Sequence, residues 1–328
     1  MTLGAPNSSR ADESNAIDAA WTIVLATSRA AETAAVLDDT LWFALDADQS
    51  LVPVPDQDPS AVVLWRRGAG WEPALDVTDP RRPLLELYLP ITSATSQTPM
   101  AVGHLGQSLD GFIATHSGES QFVTGEENIL HLHRMRALCD AVIVGAGTVA
   151  ADDPQLTTRK VPGPHPLRVV LDPSRRLGTQ FKVFTDDSAP TLYICTEGNV
   201  APGETHVGVA TIATVAEAPQ GIDAAAVLRL LRERGCHRIF VEGGGVTVSM
   251  FLQADLLDRL QIATAPLIIG TGRPAIRLAP RSALSECLRP RYRVFRMGGD
   301  VFFDCDLRDR GQGPEDGADA SPLLARII

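Results

Sequence analysis

The chain has 328 residues and a net charge of −11, and hydrophobic residues make up 45% of it. These values are typical of a globular protein with enough apolar residues for one large domain or two ordinary ones. Because an acidic surface repels phosphate backbones, we do not expect the chain to bind nucleic acid. No apolar run approaches the length of about 18 residues that a membrane-spanning helix needs, so we expect no membrane association.

The five cysteines are scattered along the chain and have no C-x-x-C spacing. This pattern predicts reduced thiols in a cytoplasmic protein, and the N-terminal residues contain no apolar segment that would indicate a signal peptide. His131 and His133 lie two residues apart on a predicted helix and therefore face different directions. The other histidines also lack ligand-like spacing, so we expect no metal site.

Residues 1–97 are predicted to form a small α+β unit of unknown role. Its first 15 residues are small and polar, which indicates disorder. Residues 91–99 are rich in Ser and Thr and end in Pro, as in a linker, and residues 309–328 are predicted to be a loose tail. The predicted elements of the unit are helices over residues 19–25 and 30–37 and strands over residues 41–45, 61–66 and 84–89.

Strands and helices alternate in residues 98–308, which predicts an α/β domain with a mostly parallel sheet flanked by helices. Thr124 followed by Glu127 has the pattern of a capping box at the start of one helix, and Asp223 and Gly235 have the patterns of an N-cap and a C-terminal glycine. The predicted strands cover residues 101–105, 141–144, 167–171, 191–195, 238–241, 259–265 and 301–306. The predicted helices cover residues 124–138, 223–234 and 246–253.

Two glycine-rich turns follow predicted strands: Glu242 is followed by Gly243–Gly245, and another strand is followed by Gly145-Ala146-Gly147-Thr148. Glycines let backbone N–H groups approach a ligand closely, and a helix N-terminus favours an anion such as a pyrophosphate. Neither spacing matches G-x-G-x-x-G or the P-loop. The residues alone leave two interpretations open, a dinucleotide site or tight strand-to-helix turns.

Charged residues lie close to these turns. Asp152 is suited to hydrogen-bond amino or hydroxyl groups of a ligand, and the guanidinium groups of Arg136 and Arg159 are suited to bind phosphate. Arg175 and Arg176 follow a predicted strand, where arginines often hold the 2′-phosphate of NADP. Solvated surface charges remain the alternative for each of these residues.

Taken in order, these motifs resemble the reductase domain of the bifunctional deaminase–reductase family of riboflavin biosynthesis, whose fold is that of dihydrofolate reductase. The resemblance covers about residues 100–307. Its most specific part is the succession of S-L-D-G, S-G-E-S and G-T-V-x-A-D-D-P-x-L-T. The matching segments are residues 108–111, 117–120, 147–149, 151–154, 168–172 and 241–244.

The resemblance implies a homodimer in which NADPH reduces the ribosyl group of 5-amino-6-(5-phosphoribosylamino)uracil, or of a close ribosylamino-pyrimidine phosphate, to a ribityl group. Asp152 and Glu242 are the implied catalytic residues. The implied cofactor-binding residues are Gly106, Gln107, Phe122, Thr148, Asp152, Pro173, Ser174, Gly244, Gly245, Val246 and Thr247. The implied substrate-binding residues are Ser120, Arg136, Leu156, Arg159 and Glu242.

The chain departs from the family pattern at three places. His104 stands where a Lys is common, Phe122 stands where a Trp is frequent, and residues 1–97 lack the zinc motif of the deaminase half. These departures keep two alternatives open. One is a reductase of the same fold that acts on a pterin or related pyrimidine in another pathway, and the other is a non-catalytic NADP-binding protein.

Overall fold

The computed structural model describes residues 7–37, 39–121, 123–218 and 221–308. The chain divides into two compact units at the Pro99–Met100 bond. The predicted tail, residues 309–328, lies outside the described residues. All five cysteines are free thiols, and four of them are buried. Within the described residues, every helix falls short of the length and apolar character that crossing a membrane requires.

The N-terminal unit contains two helices and a four-stranded antiparallel sheet, so the prediction of a small α+β unit is confirmed. The helices are α1 (Asn7–Ala35) and α2 (Arg82–Thr92), and the strands are β1 (Leu41–Leu45), β2 (Leu51–Val54), β3 (Val63–Arg66) and β4 (Gly70–Pro73). The strand order is β2-β1-β3-β4. Trp71 packs edge-on against Phe43 and Trp65, with ring centroids 5.3 and 5.0 Å apart, and these rings form the aromatic part of the core.

Two predictions for this unit are wrong. Residues 7–15, which were expected to be disordered, belong to α1. This single helix also covers the predicted helix 19–25 and most of the predicted helix 30–37. Residues 84–89 are not a strand but the middle of α2, whose buried residues recur at helical spacing, as Leu85 and Leu89 do. The proline near the start of α2 is compatible with a helix because first-turn N–H groups have no intrahelical partner.

The larger unit is built on one sheet of ten strands. They are β5 (Met100–Ser108), β7 (Ala141–Gly145), β8 (Leu167–Leu171), β9 (Thr191–Thr196), β10 (His206–Val207), β11 (Ala210–Val215), β12 (Arg238–Glu242), β13 (Arg259–Ala265), β15 (Arg291–Met297) and β16 (Asp300–Asp306). Two further strands, β6 (Phe112–Thr115) and β14 (Gly272–Pro274), pair separately. The helices are α3 (Glu126–Leu138), α4 (Ala146–Asp152), α5 (Lys182–Thr185), α6 (Ala224–Glu233) and α7 (Gly245–Gln253).

The strand order of the large sheet is β10-β11-β9-β8-β7-β12-β5-β13-β16-β15. Six of its nine neighbouring pairs are parallel, which confirms the predicted mostly parallel α/β architecture. The central strands are buried on both faces, as expected when helices cover a parallel sheet. The carboxyl ends of β7 and β12 therefore lie side by side at one edge, and α4 and α7 start there.

The N-termini of α3 and α6 show whether the predicted capping residues are correct. Asp223 caps α6 as predicted, because its carboxylate accepts hydrogen bonds from the N–H groups of Ala225 and Ala226. The capping box at Thr124 is wrong, since α3 begins at Glu126 with Gly125 as its N-cap. The Thr124 hydroxyl instead accepts a hydrogen bond of 2.9 Å from Nδ2 of Asn128.

Deleting residues 1–97 is expected to leave a folded domain, because the ten-stranded sheet and its core lie entirely within the second unit. The expected result is a monodisperse fragment whose thermal transition stays cooperative. Circular dichroism and size-exclusion chromatography of the fragment beside the full chain provide the measurement. An aggregated fragment would contradict the prediction and would show that residues 1–97 cover core surface.

Candidate active site

The glycine turn after β12 needs glycine for reasons that the backbone makes clear. Gly243 has a φ of +106°, a conformation that residues with a side chain rarely adopt. A Cβ atom on Gly245 would lie 2.6 Å from the carbonyl oxygen of Pro274, so α7 could not start where it does. The N–H of Gly244 donates to Oγ1 of Thr148 over 3.0 Å. The two predicted glycine turns are therefore joined to each other.

The N-terminus of α7 is open toward the carboxyl edge of the sheet. Val246, in the first turn, is 69% exposed, although the rest of the helix is largely buried. The carbonyl of Gly244 accepts the first helical hydrogen bonds, from the N–H groups of Thr247 and Val248. The N–H groups of Gly245 and Val246 precede those bonds and carry the partial positive charge of the helix end, which suits an anion.

A buried ion pair lies directly before this turn. Nε of Arg136 donates to Oε2 of Glu242 over 2.9 Å, and Nη2 of Arg136 donates to Oε1 of the same carboxylate. Both side chains are buried, at 8% and 11% exposure. The bidentate geometry lets each charge compensate the desolvation of the other. The structure therefore brings together two predicted substrate-binding residues that are 106 positions apart in the chain.

Arg159 also lies close to Arg136, because both side chains contact Thr157. Arg136 Nη1 lies 3.5 Å from the carbonyl oxygen of Thr157, and Arg159 Nη1 donates to the Thr157 hydroxyl over 2.7 Å. Burial, and then the charge of Arg136, lower the pKa of Arg159. Leu156, with a φ of +58°, is fully buried beneath this segment. Arg136 thus pairs with Glu242, whereas Arg159 lies beside it without a paired carboxylate among the described residues, and its uncompensated positive charge suits a phosphate group.

Asp152 and Ser120 also lie together, although they are 32 residues apart. The Ser120 hydroxyl donates to Oδ1 of Asp152 over 3.3 Å, and Asp152 is exposed at the end of α4. Asp153 has a different role, because its carboxylate accepts the N–H of Lys182 over 2.7 Å and ends the helix in a left-handed conformation. Of the two adjacent aspartates, Asp152 is the one that faces the S-G-E-S loop.

The remaining predicted cofactor residues lie around this edge or outside the described part of the chain. Gly106 is packed under Thr124, whose methyl group would lie 2.9 Å from a Cβ at that glycine. Gln107 is half-buried near the carboxyl end of β5. The carbonyl of Pro173 accepts hydrogen bonds from the following loop, and Ser174 is exposed. Phe122 lies outside the described residues.

The expectation that Arg175 or Arg176 binds a 2′-phosphate remains a prediction. The Arg175 guanidinium makes a bidentate ion pair with Glu204 and donates to the carbonyl of Asn199. These partners engage both Nη atoms of Arg175. Arg176 is 72% exposed and lies 3.9 Å from the carboxylate of Asp172. Only Arg176 of this pair therefore keeps a solvent-facing charge.

Three residues at the site were not predicted from the sequence. Thr157 connects the two arginines, and Nδ1 of His133 accepts the N–H of Arg159 over 3.0 Å. Asn128 contacts His104, with 3.0 Å between its Oδ1 and the ring Nε2. Thr157 is the last residue of the D-D-P-x-L-T motif, but the motif assigns it no role. No short motif marks the other two contacts, because each joins segments that only the fold brings together. Among the described residues, no group of three His, Cys, Asp or Glu side chains is arranged to hold a metal ion.

The fold and this edge define a class: an α/β domain with an anion-compatible helix N-terminus and a carboxylate–arginine pocket at the carboxyl ends of its parallel strands. The model of the RibD C-terminal domain family matches residues 101–291. The chain belongs to this family, as the resemblance in the sequence predicted.

Two curated relatives illustrate the match. The 2,5-diamino-6-ribosylamino-4(3H)-pyrimidinone 5′-phosphate reductase of Methanothermobacter thermautotrophicus is 36% identical over 192 residues, which cover 57% of this chain and 87% of that protein. The riboflavin biosynthesis protein RibD of Aquifex aeolicus is 34% identical over 217 residues, which cover 65% of this chain and 59% of that protein. The match to RibD therefore leaves about two-fifths of that longer protein without a counterpart here.

Solved structures show the same fold. RibD of Acinetobacter baumannii superimposes with a TM-score of 0.55 at 25% identity, covering 70% of this chain and 63% of that one. The riboflavin biosynthesis reductase of Saccharomyces cerevisiae superimposes with a TM-score of 0.54 at 20% identity, covering 69% of this chain and 98% of that one. These likenesses confirm the predicted fold class of the larger unit.

Proposed function

We propose that this protein is an NADPH-dependent reductase of riboflavin biosynthesis that converts the ribosyl group of a ribosylamino-pyrimidine 5′-phosphate to a ribityl group. One observation carries the proposal: Arg136 and Arg159 meet at Thr157, and Arg136 also holds Glu242, which runs directly into the glycine turn. A phosphate-compatible pocket and a dinucleotide-compatible helix end thus lie next to each other. Family membership supplies the reaction class.

The residues at the glycine turn fit the phosphates of a dinucleotide. The first-turn N–H groups at Gly245 and Val246 are placed to donate to the pyrophosphate, and Thr148 fixes the turn through the N–H of Gly244. The cofactor, when bound, supplies the hydride. The flanking residues assigned to it in this proposal are Gly106, Gln107, Phe122, Asp152, Pro173, Ser174, Gly244 and Thr247.

The sugar must open before C1′ can accept a hydride. When the bond between C1′ and O4′ breaks, O4′ takes up a proton and the exocyclic nitrogen becomes an iminium. Asp152 is exposed and hydrogen-bonded to Ser120, so it can exchange protons with water and pass one to O4′. Glu242, paired with Arg136, orients the sugar hydroxyl groups beside it. Leu156 and Arg159 complete the proposed substrate pocket.

The experiment that tests this function is NADPH oxidation with two candidate substrates assayed side by side. One is 5-amino-6-(5-phosphoribosylamino)uracil, and the other is its non-deaminated 2,5-diaminopyrimidinone counterpart. We expect turnover of at least one of them, and NADPH to be used better than NADH. Cofactor binding without turnover of either would contradict the proposal and would favour a non-catalytic NADP-binding protein. Turnover of a dihydropterin alone would favour a same-fold reductase of another pathway.

Replacing Arg159 with Ala is expected to raise the KM for the phosphorylated substrate about 10- to 100-fold while cofactor affinity stays unchanged. The reason is the loss of one charge-assisted contact to phosphate, which contributes about 1.5–3 kcal/mol. Lys160→Ala is the matched control, because Lys160 is an adjacent exposed cation outside the Thr157 contact. Steady-state kinetics with both variants provide the measurement. Equal KM values for Arg159→Ala and Lys160→Ala would contradict the phosphate assignment.

The homodimer that the resemblance implies and the cytoplasmic location that the cysteine pattern indicates remain predictions. Sedimentation of the purified chain at several concentrations tests the first of them. A single species with the mass of two chains is the expected result.

A further inference from the structure

His104 lies beside the Arg136–Glu242 pair, which forms the floor of the proposed substrate pocket. It is 3% exposed on β5, and the strand register places it opposite Glu242 on β12 and Gln261 on β13. Its ring contacts His131 and Phe302, with centroids 5.2 and 6.2 Å away. Burial, and to a smaller extent the charge of Arg136, lower the pKa of His104 to about 4, although Glu242 and the hydrogen bond to Asn128 raise it. The imidazole is therefore neutral near pH 7.

A chain of hydrogen bonds selects one tautomer of this neutral ring. Nε2 of His104 lies 3.0 Å from Oδ1 of Asn128, and Nδ2 of Asn128 donates to Oγ1 of Thr124 over 2.9 Å. An amide oxygen only accepts hydrogen bonds, so Nε2 carries the proton and Nδ1 keeps its lone pair. Thr124 is itself held against Gly106. Among the described residues, the hydrogen bonds of His104 reach Nε2 alone, which leaves Nδ1 as an unfilled acceptor.

We propose that Nδ1 of His104 accepts a hydrogen bond from a hydroxyl or amine N–H of the ribosylamine, and so orients the sugar beside Glu242. This inference rests on the proposed function. Glu242 is already neutralised by Arg136, so the pocket floor offers the ligand an uncharged acceptor next to a compensated carboxylate. A donor on the ligand would give Nδ1 a hydrogen bond that the described residues do not supply.

The polarity of this contact differs from the one that a lysine at this position would make. An ammonium group offers only donors, whereas the imidazole tautomer described here offers an acceptor at Nδ1. The substrate group that meets His104 must therefore be a donor. The residue would select for a sugar or amine that presents an O–H or N–H at this point, and His104 would act on binding more than on the chemical step.

Kinetics of two His104 variants test the proposal. His104→Leu removes the acceptor and is expected to raise KM about tenfold, while kcat and NADPH affinity change by less than about twofold. His104→Gln can donate to Asn128 through its amide nitrogen and present its oxygen to the ligand. Its KM should therefore lie close to the wild-type value. His131→Leu controls for the loss of a buried imidazole, since His131 bonds Gln261 instead. An unchanged KM in His104→Leu would overturn the inference.

A second measurement uses the wild-type protein, so it does not depend on whether the variants fold. With ¹⁵N-labelled histidine, the His104 signals at pH 7 should show a neutral ring protonated at Nε2. Adding NADP⁺ together with the ribosylamino-pyrimidine phosphate, which cannot turn over with the oxidised cofactor, should shift the Nδ1 resonance. A ring protonated at Nδ1, or an Nδ1 signal that does not move when the substrate is bound, would refute the assignment. Absence of wild-type turnover would instead contradict the proposed function.

Discussion

Replacing Arg136 with Met is expected to lower the free energy of unfolding by about 3–5 kcal/mol, because it leaves the buried carboxylate of Glu242 without its partner. The Met side chain fills most of the volume, so the loss reflects charge more than packing. Activity should also disappear, since the proposed pocket loses both a cation and an oriented carboxylate. Urea unfolding at pH 7, analysed with a common m-value, provides the measurement.

The double variant Arg136→Met/Glu242→Leu is the control for this prediction. Replacing both members of a buried pair with apolar residues is often close to neutral, so most of the lost stability should return. Activity should not return, because neither polar group is restored. A single variant as stable as the wild-type protein would contradict the buried pair. A double variant with full activity would contradict the role of both residues.

Replacing Val246 with Pro is expected to raise the dissociation constant for NADPH about 10- to 100-fold. Proline removes one backbone N–H from the first turn of α7, where it is tolerated structurally, and a donor to a charged group contributes about 1.5–3 kcal/mol. The side chain of Val246 is 69% exposed, so its loss alone should matter little. Fluorescence titration of the bound cofactor provides the measurement.

Val246→Ala is the matched control, since it shortens the same side chain and keeps the N–H. It should bind NADPH like the wild-type protein, and both variants should have similar melting temperatures. Equal cofactor affinity in Val246→Pro and Val246→Ala would show that the phosphates do not use this N–H. Weakened binding in both would assign the contact to the side chain and not to the backbone.

The architecture of the larger unit could be predicted because its signals are local. Strands such as Leu167–Leu171 are short apolar runs that end in turns, and Asp223 has the side chain that an N-cap needs. The predicted helix boundaries are wrong where backbone geometry decides the end of the helix. Gly125, for example, caps α3 in place of Thr124. Strands of two to four residues, such as β10 and β14, depend on pairing partners and leave little pattern in the sequence.

The N-terminal unit shows where local patterns mislead. A six-residue segment such as residues 84–89, which is apolar except for Glu86, fits a strand as well as a buried helix turn, and the surrounding prolines favoured the wrong choice. Helix α2 is stabilised by packing against α1 and β4, which a single segment does not reveal. The polar start of α1 likewise has the composition of a disordered segment, yet it continues a helix whose later turns are buried.

The residues of the candidate site also fall into two groups, those that sequence motifs mark and those whose roles depend on contacts made by the fold. Arg136, Asp152, Arg159 and Glu242 belong to ordered motifs, so the resemblance could name them. Thr157 closes one of these motifs, but its role could not be inferred, because it depends on Arg136, 21 positions away, reaching the residue that Arg159 also contacts. The ion pair of Arg175 with Glu204 could not be predicted either, since the partner is 29 residues away in an irregular loop.

The central claim is that backbone N–H groups at the start of α7 bind the phosphates of NADPH beside the Arg136–Glu242 pocket. A crystal structure of the protein with NADP⁺ tests it most directly. We predict pyrophosphate oxygens within hydrogen-bonding distance of the N–H groups at Gly245 and Val246, with the nicotinamide directed toward Glu242. A cofactor bound elsewhere, or a turn that stays empty at saturating NADP⁺, would contradict the account.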